Sequence, residues 1–191
     1  MMSSHLPTAL PTERLLLRPF RLEDEDDLFA YTHDPEVART SSWDAHRTLG
    51  EARAFLERTL RGYERGERSI WAMEHLADGR MIGTIGLYEV TAQHSRAVLA
   101  YALARPAWNC GFTTEAARRV INYGFENLNL NRIEGFCLPQ NGASRRVMDK
   151  VGMSFEGILR ERMWLKGAFR DLAFYSILKA EWTEQMGRTV V

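Results

Sequence analysis

The order of strand and helix signals along the chain constrains the fold more than any single residue does. Seven short apolar runs have the length and turn signals of strands: residues 15–18, 70–74, 81–88, 96–103, 132–137, 154–164 and 169–178. Four segments have helical spacing or helix start and stop signals: residues 23–32, 49–63, 113–127 and 141–151. A helix between two strands joins them in parallel, whereas hairpins join them antiparallel. The sequence therefore predicts the α+β (α/β) class, with a mixed, largely antiparallel seven-stranded sheet and helices on both faces.

Local breaks support these boundaries. Asp34 and Pro35 end the first predicted helix, because the residue before proline disfavours helical backbone. Asp78 and Gly79 separate two strand-like runs, which predicts a hairpin. Gly152 follows the last predicted helix at the position where glycine often terminates one.

Length and charge restrict the protein class. The 191 residues suit one domain, and 25 basic side chains balance 25 acidic ones, giving a formal net charge of zero. Nucleic-acid binders usually carry a basic surplus, so no nucleic-acid partner is expected. The longest unbroken apolar run, residues 97–104, is far shorter than the roughly 20 residues of a membrane-spanning helix, so no membrane partner is expected.

The two cysteines, Cys110 and Cys137, lack the spacing of a metal site, and no secretory signal opens the chain. These features predict a reduced, cytoplasmic protein that uses no metal. We expect residues 1–11 to be a flexible leader, residues 12–182 to form the domain, and residues 183–191 to be a tail.

The sharpest local feature is the turn at residues 106–116, between a predicted strand and an amphipathic helix. The first N–H groups of a helix lack internal partners and carry partial positive charge, so they suit a phosphate or pyrophosphate. Gly111 would let the backbone approach such a ligand closely. The alternative is an ordinary helix start that Thr113 or Thr114 caps without any ligand.

Residues 12–182 contain several motifs in the same order as in a known protein family. After the turn come Asn-Arg-Ile-Glu at residues 131–134 and, at residues 141–153, the pattern N-x-A-S-x-x-V-M-x-K-x-G-M. Residues 12–19 read Thr-Glu-Arg-Leu-Leu-Leu-Arg-Pro. This set resembles the GCN5-related N-acetyltransferase (GNAT) superfamily, and within it the RimJ/RimL-type branch that acetylates the N-termini of ribosomal proteins. The resemblance implies the GNAT acyl-CoA N-acyltransferase fold and acetyl-CoA as acetyl donor.

The resemblance also implies how the coenzyme is held. The pantetheine arm would lie where residues 132–137 diverge from the strand that contains Tyr101, Ala102 and Leu103. The pyrophosphate would be bound by backbone N–H groups of the turn, from Cys110, Gly111, Phe112, Thr113 and Thr114. Asn141 and Ser144 would contact the pantetheine or its thiol end.

Three residues of the turn depart from the family pattern. Asn109 stands where glycine is common, Cys110 replaces a usual lysine or arginine, and Thr113 replaces a small residue. An exposed charge pair contributes only about 0–1 kcal/mol, so the missing basic residue predicts weakened rather than abolished coenzyme binding.

The catalytic residues are less well defined by the resemblance. Many relatives use a tyrosine as general acid at the position of Met148, which cannot donate a proton. Ser144 is therefore the predicted stabiliser of the leaving thiolate, and the alternative is a helix residue bonding to backbone near Asn141.

A general base must accept the proton of the amine. Relatives often carry a glutamate at the position of Val98 or Met163, and both positions are apolar here. The remaining candidates are Glu89, His94, Glu134 and Glu161, of which Glu161 is selected because its predicted strand lies near the presumed acceptor channel.

The acceptor is open at the sequence level. The leading prediction is a protein N-terminal amine; alternatives are a small-molecule amine, or a non-catalytic acyl-CoA sensor. The acidic residues 23–27 could steer a basic acceptor or simply be a solvated helix start. Three tryptophans could line an acceptor pocket or belong to the core: Trp43, Trp71 and Trp164. Nothing in the pattern decides between a monomer and a homodimer.

Overall fold

The computed structural model describes residues 7–66 and 69–189. Its strands are Leu10–Pro11 (β1), Leu15–Arg18 (β2), Ser69–His75 (β3), Met81–Thr91 (β4), Arg96–Leu103 (β5), Arg132–Cys137 (β6), Ser154–Leu165 (β7) and Ala168–Leu178 (β8). They form one mixed sheet of eight strands in the order β1-β2-β3-β4-β5-β6-β8-β7. The α-helices are Glu25–Thr32 (α1), Pro35–Ala38 (α2), Leu49–Glu64 (α3), Phe112–Glu126 (α4), Gly142–Lys150 (α5) and Lys179–Thr189 (α6).

The two connection types of the sheet were predicted from the sequence and are confirmed. β3 and β4 pair antiparallel, and their connection contains Gly79 at a φ of +67°, a conformation that favours glycine. β5 and β6 pair in parallel across the helical crossover α4.

The core lies on both faces of the sheet. Along β3, Ile70 and Ala72 join the buried cluster that includes Leu56 of α3, whereas Trp71 and Met73 join the cluster that includes Val120 of α4. Successive strand residues point to opposite faces, so this alternation places α1 and α3 on one face and α4 on the other.

β5 and β6 are paired only at one end. Residues 96–98 pair with residues 132–134, and neither strand continues that ladder. β5 remains paired with β4 as far as Leu103, and β6 remains paired with β8 as far as Cys137. The two strands are thus held by their outer neighbours while they diverge from each other.

The expected strand count is corrected, and the structure adds detail at both chain ends. The sheet has eight strands instead of seven, because Leu10 and Pro11 pair with Leu17 and Leu16. Those two residues therefore do not belong to a flexible leader, and residues 1–6 of that leader lie outside the described residues. The predicted tail is helical as far as residue 189 because it continues α6, and residues 190–191 are not described.

Pro35 does end α1, and it also begins the short helix α2, which Asp34 caps by accepting a hydrogen bond from the Glu36 amide at 2.9 Å. Within residues 7–66 and 69–189, no helix is long and apolar enough to cross a membrane.

Candidate functional site

The turn before α4 contains two residues with left-handed backbone. Asn109 has a φ of +62° and Gly111 a φ of +83°. Asparagine tolerates this conformation better than most residues, which explains how it can replace the glycine that the resemblance leads one to expect at position 109. Gly111, not Thr113 or Thr114, is the N-cap of α4, and it supplies no side-chain cap.

The start of α4 presents open backbone donors. The first bond of the helical ladder runs from the Glu115 amide to the Gly111 carbonyl at 3.1 Å. Within the described part of the chain, no hydrogen bond occupies the N–H groups of residues 111–114. These groups and the partial positive charge of the helix start suit a phosphate.

A cation lies beside this turn although residue 110 is cysteine. The Arg14 side chain donates from Nη1 to the Cys110 carbonyl at 3.0 Å, and its guanidinium lies 4.6 Å from the centre of the Phe112 ring. The sequence indicated no role for Arg14, because the contact joins residues 96 positions apart.

Glu115 fixes Arg14 in place. Its carboxylate accepts hydrogen bonds from the Thr12 hydroxyl at 2.7 Å and from the Arg14 amide at 2.8 Å, and it forms a 2.7 Å ion pair with the Arg14 guanidinium. Burial opposes ionisation of Glu115, but these interactions outweigh it and lower the pKa of Glu115. The segment before β2 is thereby joined to the first turn of α4.

The free edge of β5 faces the divergence. The Ala104 amide donates to the Ile82 carbonyl of β4 at 2.8 Å, and backbone groups of successive strand residues alternate in direction. Tyr101 and Leu103 therefore direct their backbone groups toward the divergence, whereas those of Ala102 face β4. The Leu103 carbonyl also accepts a hydrogen bond from Trp108 Nε1 at 2.8 Å.

Asn141 and Ser144 lie at the start of α5. Asn141 is the N-cap, and its side-chain oxygen accepts from the Ser144 amide at 3.1 Å. The Ser144 hydroxyl oxygen lies 2.8 Å from the Tyr101 hydroxyl oxygen. The side chain of Tyr101 is therefore a site feature that the sequence did not indicate, because only its backbone was assigned a role.

The position of the missing tyrosine is buried. Met148 is only 2% exposed, and a Cβ added to Gly135 of β6 would lie 3.0 Å from its sulfur. This side chain fills the core and supplies no proton to the site.

The paired end of β5 and β6 is linked by charges. Glu134 of β6 binds Arg96 of β5 and Arg132 of β6, with both nitrogen–oxygen distances at 2.8 Å. Arg132 also pairs with Glu156 of β7, which accepts a hydrogen bond from Ser176 of β8 at 2.7 Å. Glu134, one of the four candidate bases, is thus part of an ion-pair network that joins strands.

The other candidate bases are exposed. Glu161 lies in an irregular part of β7 with a φ of +50°, and its amide donates to Asp171 at 2.8 Å. Glu89 has a φ of +50° near the end of β4, and His94 lies in the short 3₁₀ helix that follows. The choice of Glu161 as base stays a prediction.

The turn between β7 and β8 contacts the end of α2 and the segment that follows it. Lys166, in the turn between β7 and β8, donates to the Ala38 carbonyl at 2.7 Å and lies 3.8 Å from Asp44. A cavity of about 420 Å³ adjoins this segment and is lined by Asp44, Ala45, His46, Arg47, Glu51, Ala54 and Arg58. Burial lowers the pKa of His46, which also bonds to the Thr32 hydroxyl at 2.9 Å.

The three tryptophans differ in exposure, and the acidic side chains of residues 23–27 differ in their ion pairs. Trp71 is fully buried in the core, whereas Trp43 is half-buried and Trp164 is exposed. In the acidic residues 23–27, three carboxylates form ion pairs: Asp24 with Arg18, Glu25 with Arg53 and Asp27 with Arg80. Three of the five carboxylates in this segment are therefore engaged in ion pairs within the described residues, and of these pairs only Asp24–Arg18 is buried on both sides.

Comparisons with known proteins agree with this geometry. Residues 14–154 match the model of the acetyltransferase (GNAT) domain. The chain belongs to the GNAT acetyltransferase family. It is an N-acetyltransferase of that family, since relatives across nearly its whole length have that name. "Uncharacterized N-acetyltransferase p20" of Bacillus licheniformis is 34% identical over 91% of this chain and 97% of its own length.

A second sequence relative and a solved structure are also similar to this chain. "Putative ribosomal N-acetyltransferase YdaF" of Bacillus subtilis is 36% identical over 56% of this chain and 58% of its own length. The crystal structure of a GNAT-family acetyltransferase from Bacillus anthracis superposes with a TM-score of 0.81 at 26% identity, covering 91% of this chain and 99% of the other. The GNAT fold and the acyltransferase class expected from the sequence are thereby confirmed.

Within residues 7–66 and 69–189, no three His, Cys, Asp or Glu side chains are grouped as metal ligands.

Proposed function

We propose that the protein transfers the acetyl group of acetyl-CoA to the N-terminal α-amine of a protein, with a ribosomal protein as the acceptor. One observation supports acetyl-CoA as the donor. The start of α4 has no side-chain cap, and it follows β5, the strand that diverges from its parallel neighbour β6. A diphosphate fits the open amides, and an extended arm with amide groups fits an unpaired strand edge.

The residues present fit this donor. The φ of +83° at Gly111 and the absence of a Cβ keep the approach to the turn open. Arg14 adds positive charge next to the Cys110 carbonyl, although Glu115 neutralises part of it. We propose that Tyr101 and Leu103 bind the arm through their backbone, that Ala102 borders it with its side chain, and that residues 110–114 bind the diphosphate.

Acetyl transfer then needs few side chains. The acceptor amine must be neutral to attack, so Glu161 or water must accept its proton. Ser144 donates a hydrogen bond to the thiolate that leaves, and Asn141 orients the start of α5 on which Ser144 lies. Holding both substrates together supplies much of the rate.

The name of YdaF supports a ribosomal acceptor, because YdaF shares 36% identity with this chain over 107 residues. The contact of Lys166 with the Ala38 carbonyl brings the β7–β8 turn beside residues 38–46, where an acceptor could enter. Trp164 and Phe169 are exposed at that turn, with ring centres 4.9 Å apart, and offer an apolar surface to a peptide.

Two measurements test the proposal. Titration calorimetry with acetyl-CoA should detect binding, and a Gly111→Asp variant should weaken it because a carboxylate would face the diphosphate. Release of free thiol should then be assayed with N-terminal peptides of ribosomal proteins and with small amines such as polyamines. Turnover of small amines alone would reject the ribosomal acceptor, and tight coenzyme binding without turnover of any amine would reject catalysis.

A further inference from the structure

Two hydroxyl groups meet beside the divergence of β5 and β6. The oxygens of Tyr101 on β5 and Ser144 on α5 lie 2.8 Å apart, and the Tyr101 hydroxyl also lies 3.3 Å from the Ser144 carbonyl oxygen. The pair connects β5 to the helix that follows β6, across the place where the two strands separate.

Either hydroxyl can be the donor in the 2.8 Å contact, and the Tyr101 hydroxyl can also donate to the Ser144 carbonyl at 3.3 Å. Each hydroxyl has one proton, and both acceptors within reach of Tyr101 belong to Ser144. When Tyr101 donates to Ser144 Oγ, the Ser144 proton can go to another acceptor, and the Cys137 sulfur is already one such neighbour. The Ser144 amide is already bound to Asn141, which fixes the orientation of the residue.

Burial keeps the Tyr101 hydroxyl able to donate. Its burial raises the pKa of the phenol, so the hydroxyl stays protonated throughout the neutral pH range. A hydroxyl that accepts a hydrogen bond is a stronger donor in turn, because the two bonds polarise each other.

We infer that Tyr101 is a positioning residue for Ser144: its hydroxyl donates to Ser144 Oγ and directs the Ser144 proton toward the sulfur that leaves the acetyl group. The inference rests on the proposed function and adds a residue to it. On α5, the buried Met148 has no proton to donate to the leaving sulfur. In the inferred arrangement, Tyr101 instead polarises the Ser144 hydroxyl.

The step balances with groups already named. The amine nitrogen forms a bond to the acetyl carbon, and the carbon–sulfur bond breaks with its electron pair going to sulfur. The proton that nitrogen loses goes to the base or to water. Ser144 stabilises the departing thiolate by a hydrogen bond without losing its own proton, and water later protonates the sulfur.

The test measures the thiol pKa of bound coenzyme A, which needs no acceptor. The complex with coenzyme A is titrated against the complex with its desulfo analogue, and the difference in ultraviolet absorbance reports the thiolate. This subtraction cancels the Cys137 thiol, whose pKa is raised to about 11 by burial. In the wild-type protein we expect a thiol pKa below that of free coenzyme A.

Three variants and a matched control separate the roles. Tyr101→Phe should raise the bound thiol pKa by about one unit and lower kcat about 3- to 10-fold, with an unchanged KM for acetyl-CoA. Ser144→Ala should raise it at least as far, and the double variant should equal Ser144→Ala. Tyr123→Phe, a half-buried tyrosine on α4 that packs against Trp71, should change neither quantity.

Each outcome decides between the claims. If Tyr101→Phe leaves the thiol pKa and kcat unchanged, or if its effect adds fully to that of Ser144→Ala, the inference is wrong while the proposed function stands. If the wild-type protein does not bind coenzyme A, the proposed function itself is wrong. A lower melting temperature for Tyr101→Phe without a change in thiol pKa also overturns the inference.

Discussion

Replacing Glu134 with glutamine tests whether this carboxylate joins strands or accepts a proton. Its side chain is 14% exposed and forms two ion pairs at 2.8 Å, with partners that are 37% and 25% exposed. Breaking a buried pair costs about 3–5 kcal/mol, whereas exposed pairs contribute about 0–1 kcal/mol. The partners are only partly buried, so solvent screening reduces the expected loss to about 1–2 kcal/mol.

For a chain of this size, that loss lowers the melting temperature by roughly 2–8 °C. Differential scanning calorimetry of Glu134→Gln should show it, and kcat in the thiol-release assay should stay within about threefold, because no proton transfer is removed. Glu161→Gln is the matched comparison: its exposed side chain predicts an unchanged melting temperature, with kcat falling about 100-fold or more if it is the base. A large fall in kcat for Glu134→Gln at constant melting temperature would refute the structural role.

Three further changes have defined outcomes. Cys110→Lys should tighten acetyl-CoA binding by up to about fivefold in calorimetry, since an exposed charge pair contributes about 0–1 kcal/mol. Unchanged affinity would contradict the prediction that the missing basic residue at position 110 weakens coenzyme binding. Gly111→Ala should cost about 1 kcal/mol of stability and weaken coenzyme binding, because alanine is strained at a φ of +83°. The added Cβ would meet nothing closer than 3.5 Å, so a steric clash is not the cause. Unaltered binding and stability would argue against backbone strain at this position. Hydrogen bonding to Arg132 lowers the pKa of Glu156 to about 2, so its stabilisation is present above about pH 4.5 and is lost as the pH falls toward 2. Because Glu156 is 41% exposed, we expect only about 1 kcal/mol, measured as a smaller loss of stability in Glu156→Gln over that range than in the wild-type protein.

The fold could be predicted because local patterns and topology agree. The Asp78-Gly79 turn and the helix between β5 and β6 each determine one connection of the sheet. The two-residue strand at Leu10 is too short to show an alternation. α6 contacts α4 through Trp182, which bonds to Asn122 at 2.7 Å and packs on Phe125, and such long-range contacts leave no local pattern in the sequence.

The site was predictable only where backbone does the binding. Gly111 and the helix start are local in sequence, so the turn could be identified from residues 106–116. The roles of Arg14 and Tyr101 depend on side-chain contacts across 101 and 43 positions, and no spacing rule reports such distances. Glu134 pairs with Arg132, two positions away on the same strand, and with Arg96, 38 positions away on the neighbouring strand. Local spacing could not indicate the second pair.

A ligand that binds between the diverging strands β5 and β6 stabilises the folded protein. A ligand present at a hundred times its Kd would add about 2.7 kcal/mol to the folded state, so the cellular lifetime of this enzyme should follow the supply of its donor. Without that ligand, the bare amides of β5 could capture an extended peptide, including a segment of another unfolding copy. Purification and storage with coenzyme A should therefore suppress self-association.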